Sequence, residues 1–213
     1  PGCRMSYPSF HTYIKTLQAL VKRKKPDLAE ESMVLSNLCV LYGQRAGIPE
    51  RSIKILLLAA HFKNLGAITI SDQIFSQSFD SYGQLMACVV NWFDESTKLA
   101  EMAGLPQVAL ILGQYYQRTI PQDPLAKVFQ VLNAWVACHQ KRGWRGAMND
   151  REALIVLQQR AMLGWSDPQV VDRFIQVLPT TSVSSQERLG MVLLKTSQGR
   201  DSTASHARSV VKV

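Results

Sequence analysis

Apolar side chains recur at every third or fourth position along most of the chain, which is the spacing of one face of an α-helix. The stretch from Ile68 to Ser71 is too short to be more than a connector. We therefore predict an all-α bundle of about seven to nine helices. The predicted helices run from about Ser9 to Val21, Met33 to Gly47, Pro49 to Gly66, Leu85 to Met102 (a pair broken near Trp92-Phe93), Val108 to Tyr116, Pro124 to His139, Asp150 to Met162 and Pro168 to Leu178.

Glycine and proline mark the predicted helix boundaries. Gly47 ends the second helix, and Gly66 ends the third. Before the last helix, Asp167 can cap the first turn and Pro168 fits within it. The apolar face of the second helix is assigned to Met33, Val34, Leu38, Leu41 and Tyr42.

Composition divides the chain into three parts. Residues 1–30 are predicted to form an N-terminal helical segment of the bundle, and residues 31–178 its core. Residues 179–213 are rich in serine, threonine and charge, so we predict a polar and largely flexible tail. The first ten residues hold no apolar signal-peptide core and no Met at position 1, so we interpret the chain as a piece cut from a longer one.

Hydrophobic residues make up 46% of the 213 positions, which is enough for one domain with a sizeable core. No run of 18 apolar residues occurs, so we predict no membrane span. The cysteines are widely spaced and include no CxxC pair, which favours free thiols over a zinc site. Free thiols are typical of a reducing compartment, and we therefore expect a cytoplasmic protein.

The net charge of +8 allows an anionic partner. The basic run Lys22–Lys25 follows an apolar helix, where cations complement the helix dipole, so we interpret it as a solvated helix end. Because no aromatic residues interleave with this run, nucleic acid is not the favoured partner.

One polar pair interrupts the apolar stretch LAAHFKNLGAI. Lys63 and Asn64 lie at the end of a helix whose lead-in is typical of burial. An amine and an amide are costly to bury without partners. This pair is therefore the first candidate for a functional site.

Three stretches resemble the HD-GYP family. They are AGIPERSIKILLLAAHFKNLGAITIS, PLAKVFQVLNAWVACHQKRGWRGAM and SDPQVVDRFIQVL, within a similarity that runs from about Glu31 to Leu178. The resemblance implies the fold of bacterial, all-α, metal-dependent phosphodiesterases that hydrolyse cyclic di-GMP. The related HDOD domains, which are metal-free, are a neighbouring alternative.

The resemblance also implies that the catalytic positions have been lost. The HD dipeptide aligns with Lys63-Asn64, and the WDGSGYP loop is absent. A protonated lysine cannot ligate a metal, and amides are weak ligands. We therefore expect no catalytic residue, no metal ligand and no cofactor. The vestigial positions are Glu31, Lys63, Asn64, Ala67, Asn91, Tyr115, Tyr116, Gln117 and Asn133.

The four histidines do not rebuild such a site in the sequence pattern. His61 lies two residues before Lys63, about 200° away around the helix, and so points to the opposite side. His139 lies off the face that carries Asn133, and His206 lies in the tail. We interpret His61 as a packed or partly exposed side chain.

We hypothesise that the Lys63 ammonium takes the place of the metal and pairs with Glu31. Asn64 and Asn133 would then supply neutral hydrogen bonds. In the alternative interpretation, Lys63 extends to solvent from a helix end.

Two arginines of the family's RPYR motif are retained as Arg142 and Arg145. They could hold an anionic ligand through bidentate contacts. The alternative, which we favour, is that they cap or pair at the end of the long helix before them.

The leading functional hypothesis is a catalytically inactive HD-GYP-like domain that acts as a regulatory, protein-interaction module in bacterial signalling. A sensor that binds cyclic di-GMP or another nucleotide without hydrolysis is the second hypothesis. A phosphodiesterase with a non-standard metal site is the third. We expect a protein partner, and the resemblance is consistent with a homodimer.

Overall fold

The helical pattern of the sequence is realised in a computed structural model, which describes residues 10–76, 82–141 and 145–177. Eight α-helices lie within these residues, which confirms the predicted all-α class and number. Two short 3-10 helices, Leu65–Thr69 and Asp72–Ser76, follow the third helix. The helices are α1 (Phe10–Lys24), α2 (Pro26–Arg45), α3 (Glu50–Phe62), α4 (Tyr82–Met102), α5 (Pro106–Leu112), α6 (Pro124–His139), α7 (Asp150–Met162) and α8 (Pro168–Val177).

Capping side chains fix the starts of the last three helices. The Asp123 carboxylate accepts from the backbone N–H of Ala126 at 2.8 Å and so begins α6. Asn149 and Glu152 form a reciprocal capping box at the start of α7. The Asp167 carboxylate caps α8 as predicted, accepting from backbone N–H groups of that helix.

The predicted break near Trp92-Phe93 is wrong, because α4 is one continuous helix. Val89, Trp92, Ser96 and Ala100 are all buried and form a single stripe at helical spacing. Trp92, where the break was predicted, is part of this stripe, and the buried Ser96 continues it towards Ala100.

The face predicted for α2 is also wrong in part. Met33 and Val34 are exposed, at 49% and 44% of their surface. The buried stripe instead runs through Leu28, Leu35 and Cys39 and includes polar side chains. Because these buried side chains are polar, the spacing of apolar residues alone did not identify the buried face of α2.

A common core joins the helices. Gly47, with φ of +70°, allows the tight turn between α2 and α3, which pack along each other. On the other side, the α8 side chain Phe174 contacts Tyr42 of α2 and Trp135 of α6, with ring centroids 6.0 and 5.3 Å apart. The short C-terminal helix thus ties α2 to α6.

Several sequence predictions concern residues outside this description. Residues 1–9, 77–81, 142–144 and 178–213 are not described, so the tail and the end of the last helix stay predictions. The predicted boundary after residue 30 falls inside α2. In the part of the chain that is described, no helix is both long and apolar enough to cross a membrane.

Candidate functional site

Two opposite charges meet in the core, between the end of α3 and the helices α2 and α6. The Lys63 ammonium pairs with the Glu31 carboxylate and donates to the Asn133 side-chain oxygen at 2.6 Å. The two charged side chains are only 5% and 2% exposed. The predicted ion pair and the Asn133 hydrogen bond are confirmed, and the alternative of a solvent-exposed Lys63 is wrong.

Asn64 supplies hydrogen bonds to α2. Its amide nitrogen donates to the Leu28 carbonyl at 2.9 Å and to the Ser32 hydroxyl at 3.0 Å. Lys63 and Asn64 therefore hold the end of α3 against α2 through adjacent residues. The Asn64 oxygen is buried and has no hydrogen-bond partner among the described residues.

Side chains of α4 hold the same turn from the other side. The Trp92 indole N–H and the Ser96 hydroxyl donate to the Lys63 carbonyl, at 2.9 and 2.8 Å. The Ser96 hydroxyl also accepts from the backbone N–H of Gly66 at 2.9 Å. Neither side chain was predicted from the sequence to lie at this turn, because no local pattern shows how closely α4 approaches it.

The ion pair borders a cavity of about 520 Å³. The polar side chains Glu31, Lys63 and Asn133 line one part of it. Helix α4 lines another part with the side chains Leu85, Met86, Val89, Trp92 and Phe93. A cavity of this size is within the range of small-molecule sites.

The vestigial positions are only partly brought together. Tyr115 and Tyr116 line the cavity, and the Phe93 ring stacks on Tyr116 with centroids 4.8 Å apart. Asn91 and Gln117 are exposed and do not line it. Trp92 and the buried Gln130, which were not predicted as site residues, do line it. Ala67 is fully buried and does not line the cavity either.

The Arg145 side chain caps the C-terminal end of α6, which supports the interpretation that this arginine caps the long helix before it. Its guanidinium donates to the carbonyls of Ala137 and Cys138, the latter at 3.0 Å, and to that of Gly146 at 3.0 Å. The side chain also lines the cavity. Arg142, the other predicted anion-binding residue, lies outside the described residues.

The side chains at the ion pair do not fit a dication. A bound metal needs several carboxylates or neutral imidazoles, whereas the partners described for Lys63 are the Glu31 carboxylate and the Asn133 amide. The Lys63 ammonium would repel a metal ion. Across residues 10–76, 82–141 and 145–177, no cluster of three or more His, Cys, Asp or Glu side chains is placed to hold a metal.

The surroundings of two histidines, His61 and His139, are consistent with packing roles and not with ligand binding at the cavity. His61 is 4% exposed, its Nδ1 has no hydrogen-bond partner among the described residues, and burial lowers its pKa to about 4. The His139 ring contacts the Asp150 carboxylate at 2.9 Å and the Trp135 carbonyl at 2.8 Å. Neither side chain lines the cavity, which agrees with the interpretation of His61 as packed.

Cys39 and Cys138 are buried free thiols and Cys88 is a partly buried one, as the cysteine spacing predicted. Burial raises the pKa of the Cys39 thiol, so it is protonated and inert at neutral pH.

No family model, curated protein or solved structure matches this chain. The HD-GYP resemblance therefore stays a prediction that rests on the three quoted stretches of sequence.

Proposed function

We propose that the chain is a catalytically inactive HD-GYP-like domain that acts as a regulatory, protein-interaction module in bacterial signalling. One observation carries the proposal. The Lys63 ammonium is held between the Glu31 carboxylate and the Asn133 amide, at positions where the sequence resemblance expects metal ligands. A fixed positive charge on the protein then takes the structural role of a dication.

The chemistry of the same group supports a non-hydrolytic role. A hydrolytic metal lowers the pKa of a bound water and generates a nucleophile. An ammonium that donates to two oxygens satisfies the neighbouring carboxylate but offers no coordination position for water. The group therefore stabilises the fold without supplying a hydroxide.

Hydrolysis and metal content test this proposal together. We expect the purified chain, incubated with cyclic di-GMP and Mn²⁺ or Fe²⁺, to form no linear dinucleotide above a protein-free control. We also expect less than one equivalent of tightly bound metal by elemental analysis. Metal-dependent turnover that disappears in Glu31→Gln would overturn the proposal.

A nucleotide sensor is the second candidate, favoured by the aromatic and basic lining of the cavity. The rings of Trp92, Phe93 and Tyr116 could stack on a base, and Arg145 and Arg160 add positive charge. Calorimetric titration with cyclic di-GMP, with and without Mn²⁺, tests it. Saturable heat without metal would favour the sensor, and its absence in both conditions would exclude cyclic di-GMP as the ligand.

A further inference from the structure

The walls of the cavity beside Lys63 are mainly apolar. Helix α4 contributes aliphatic side chains such as Leu85 and Val89, and Val156 of α7 adds another. The aromatic rings of Phe93 and Tyr116 also line the cavity and stack on each other with centroids 4.8 Å apart. Such walls favour the apolar body of a ligand, because burying that body removes it from water.

The ion pair does not present a net charge to a ligand. The Lys63 ammonium and the Glu31 carboxylate neutralise each other, and Asn133 accepts a further hydrogen bond. A charged group of the ligand must therefore be balanced at another part of the cavity.

Cations gather where α6 meets α7. Lys141 follows α6, Arg160 lies on α7, and both line the cavity together with Arg145. Burial raises the pKa of the Cys138 thiol while Arg145 and Arg160 oppose that rise, so both guanidinium groups lie near this one thiol. Hydrogen bonds to the end of α6 fix the guanidinium of Arg145 in place.

The carboxylates that line the cavity come from one helix. All those among the described lining residues, Asp27, Glu30 and Glu31, belong to α2. The described lining residues of α6, of α7 and of the segment between them therefore include three cations and no carboxylate, while α4 adds apolar side chains. This arrangement provides one region for a single acidic head group and another for an apolar body.

We propose that the cavity binds an amphipathic anion, which is an aromatic or aliphatic molecule with one carboxylate or sulfonate head group placed at Lys141, Arg145 and Arg160. The inference rests on the proposed non-catalytic function in one respect, since the ligand is bound and not converted. Its test measures binding alone, so its failure would leave the hydrolysis and metal tests of that function unaffected.

The first experiment titrates the full chain with 1-anilinonaphthalene-8-sulfonate, an aromatic sulfonate that fluoresces in apolar sites. We expect one saturable site per chain, with a dissociation constant on the order of tens of micromolar for a ligand of this size. Competition with dodecanoate and with 2-naphthoate distinguishes an aliphatic from an aromatic body. Displacement by either acid supports the proposal, whereas displacement by inorganic phosphate alone would overturn it.

Two variants locate the site. Lys141→Gln removes an exposed charge at the cavity, and we expect affinity to fall roughly three- to tenfold. The matched control, Arg51→Gln, removes an exposed charge from α3 away from the lining and should leave affinity unchanged. Ala137→Phe should fill the cavity and abolish binding while thermal unfolding remains cooperative.

The outcomes are decisive even if Ala137→Phe fails to fold, because Lys141→Gln alters only an exposed residue. Saturable binding that falls in Lys141→Gln and not in Arg51→Gln supports the site. Non-saturable fluorescence, or an equal affinity in both variants, would overturn it.

Discussion

A buried ammonium is stable only where an anion and hydrogen-bond acceptors surround it. Lys63 satisfies that condition through Glu31 and Asn133, each from a different helix. Such a pair adds little net stability compared with apolar side chains of equal volume, but the loss of one partner leaves the other charge buried. The two residues are therefore coupled more strongly than an exposed pair would be.

Lys63→Met should lower the free energy of unfolding by about 3–5 kcal/mol, because it leaves the Glu31 carboxylate buried without its cation. The same change in a Glu31→Gln background should cost clearly less. Urea unfolding of the four proteins in this cycle measures the coupling.

Lys54→Met is the matched control, since Lys54 forms an exposed pair with Glu50 and its loss should leave the free energy of unfolding nearly unchanged. Equal losses for Lys63→Met in both backgrounds would contradict the coupling of Lys63 to Glu31.

His61 should make stability depend on pH. Burial lowers its pKa to about 4 from an ordinary value of 6.5, so the unfolded chain binds a proton at a higher pH than the folded chain. Stability is therefore complete above about pH 6.5 and declines by about 3 kcal/mol as the pH falls towards 4.

Urea unfolding at pH 7.5, 6.0 and 5.0 should show this decline, and it should be much weaker in His61→Leu, which cannot titrate. The same slope in both proteins would assign the pH dependence to other groups.

At the scale of single residues, the Lys63–Glu31 pair was predicted because the sequence resemblance aligned both positions with one site. It could not predict that Trp92 and Ser96 donate to the Lys63 carbonyl. Those hydrogen bonds depend on how closely α4 approaches the turn, which no local pattern encodes.

At the scale of the helices, the turn after α3 requires its backbone to lie close to the backbone of α4. A Cβ atom added at Gly66 would clash with the Trp92 carbonyl and lie 2.8 Å from the Ser96 backbone nitrogen. Neither backbone group can move without displacing α4. This glycine is therefore required by the lack of space. The prediction that it ends the third helix is wrong, because α3 ends at Phe62 and Gly66 lies within the 3-10 helix Leu65–Thr69.

Gly66→Ala should cost about 1–3 kcal/mol of unfolding free energy, because the added methyl group forces α4 away from the turn. Gly146→Ala, where nothing lies within 4 Å of the added carbon, is the control and should be nearly neutral. Thermal unfolding of the two variants compares them directly. Comparable losses would contradict the close packing described for Gly66.

Helix bounds were predicted correctly where residues next to the helix end determine that end. The bounds of α6 and α7 were predicted to the residue, since Pro124 and Asp150 begin them next to capping side chains. It failed for the face of α2 and for the continuity of α4, where the polar Glu31 and Ser96 occupy buried stripes. A polar residue whose hydrogen-bond partner is distant in the sequence cannot be identified as buried from the spacing of apolar residues alone.

At the scale of the whole molecule, α8 determines whether the bundle unfolds as one unit. Phe174 is 1% exposed and contacts aromatic rings of both α2 and α6. Its loss would leave a void shared by three helices. Removal of this one ring should therefore weaken the entire bundle and not the terminal helix alone.

Phe174→Ala should lower the free energy of unfolding by about 3–5 kcal/mol while the transition stays single. Circular dichroism and tryptophan fluorescence should give the same midpoint. Separate midpoints would show that α8 unfolds independently of the rest.

The buried pair also has an evolutionary consequence. Since each partner is harmful without the other, neither Lys63 nor Glu31 can be replaced alone without stranding a charge. Evolutionary replacement of the pair one residue at a time therefore passes through a destabilised intermediate. Lys63 and Glu31 are thus expected to be kept or lost together, even in the absence of selection on any activity of the protein.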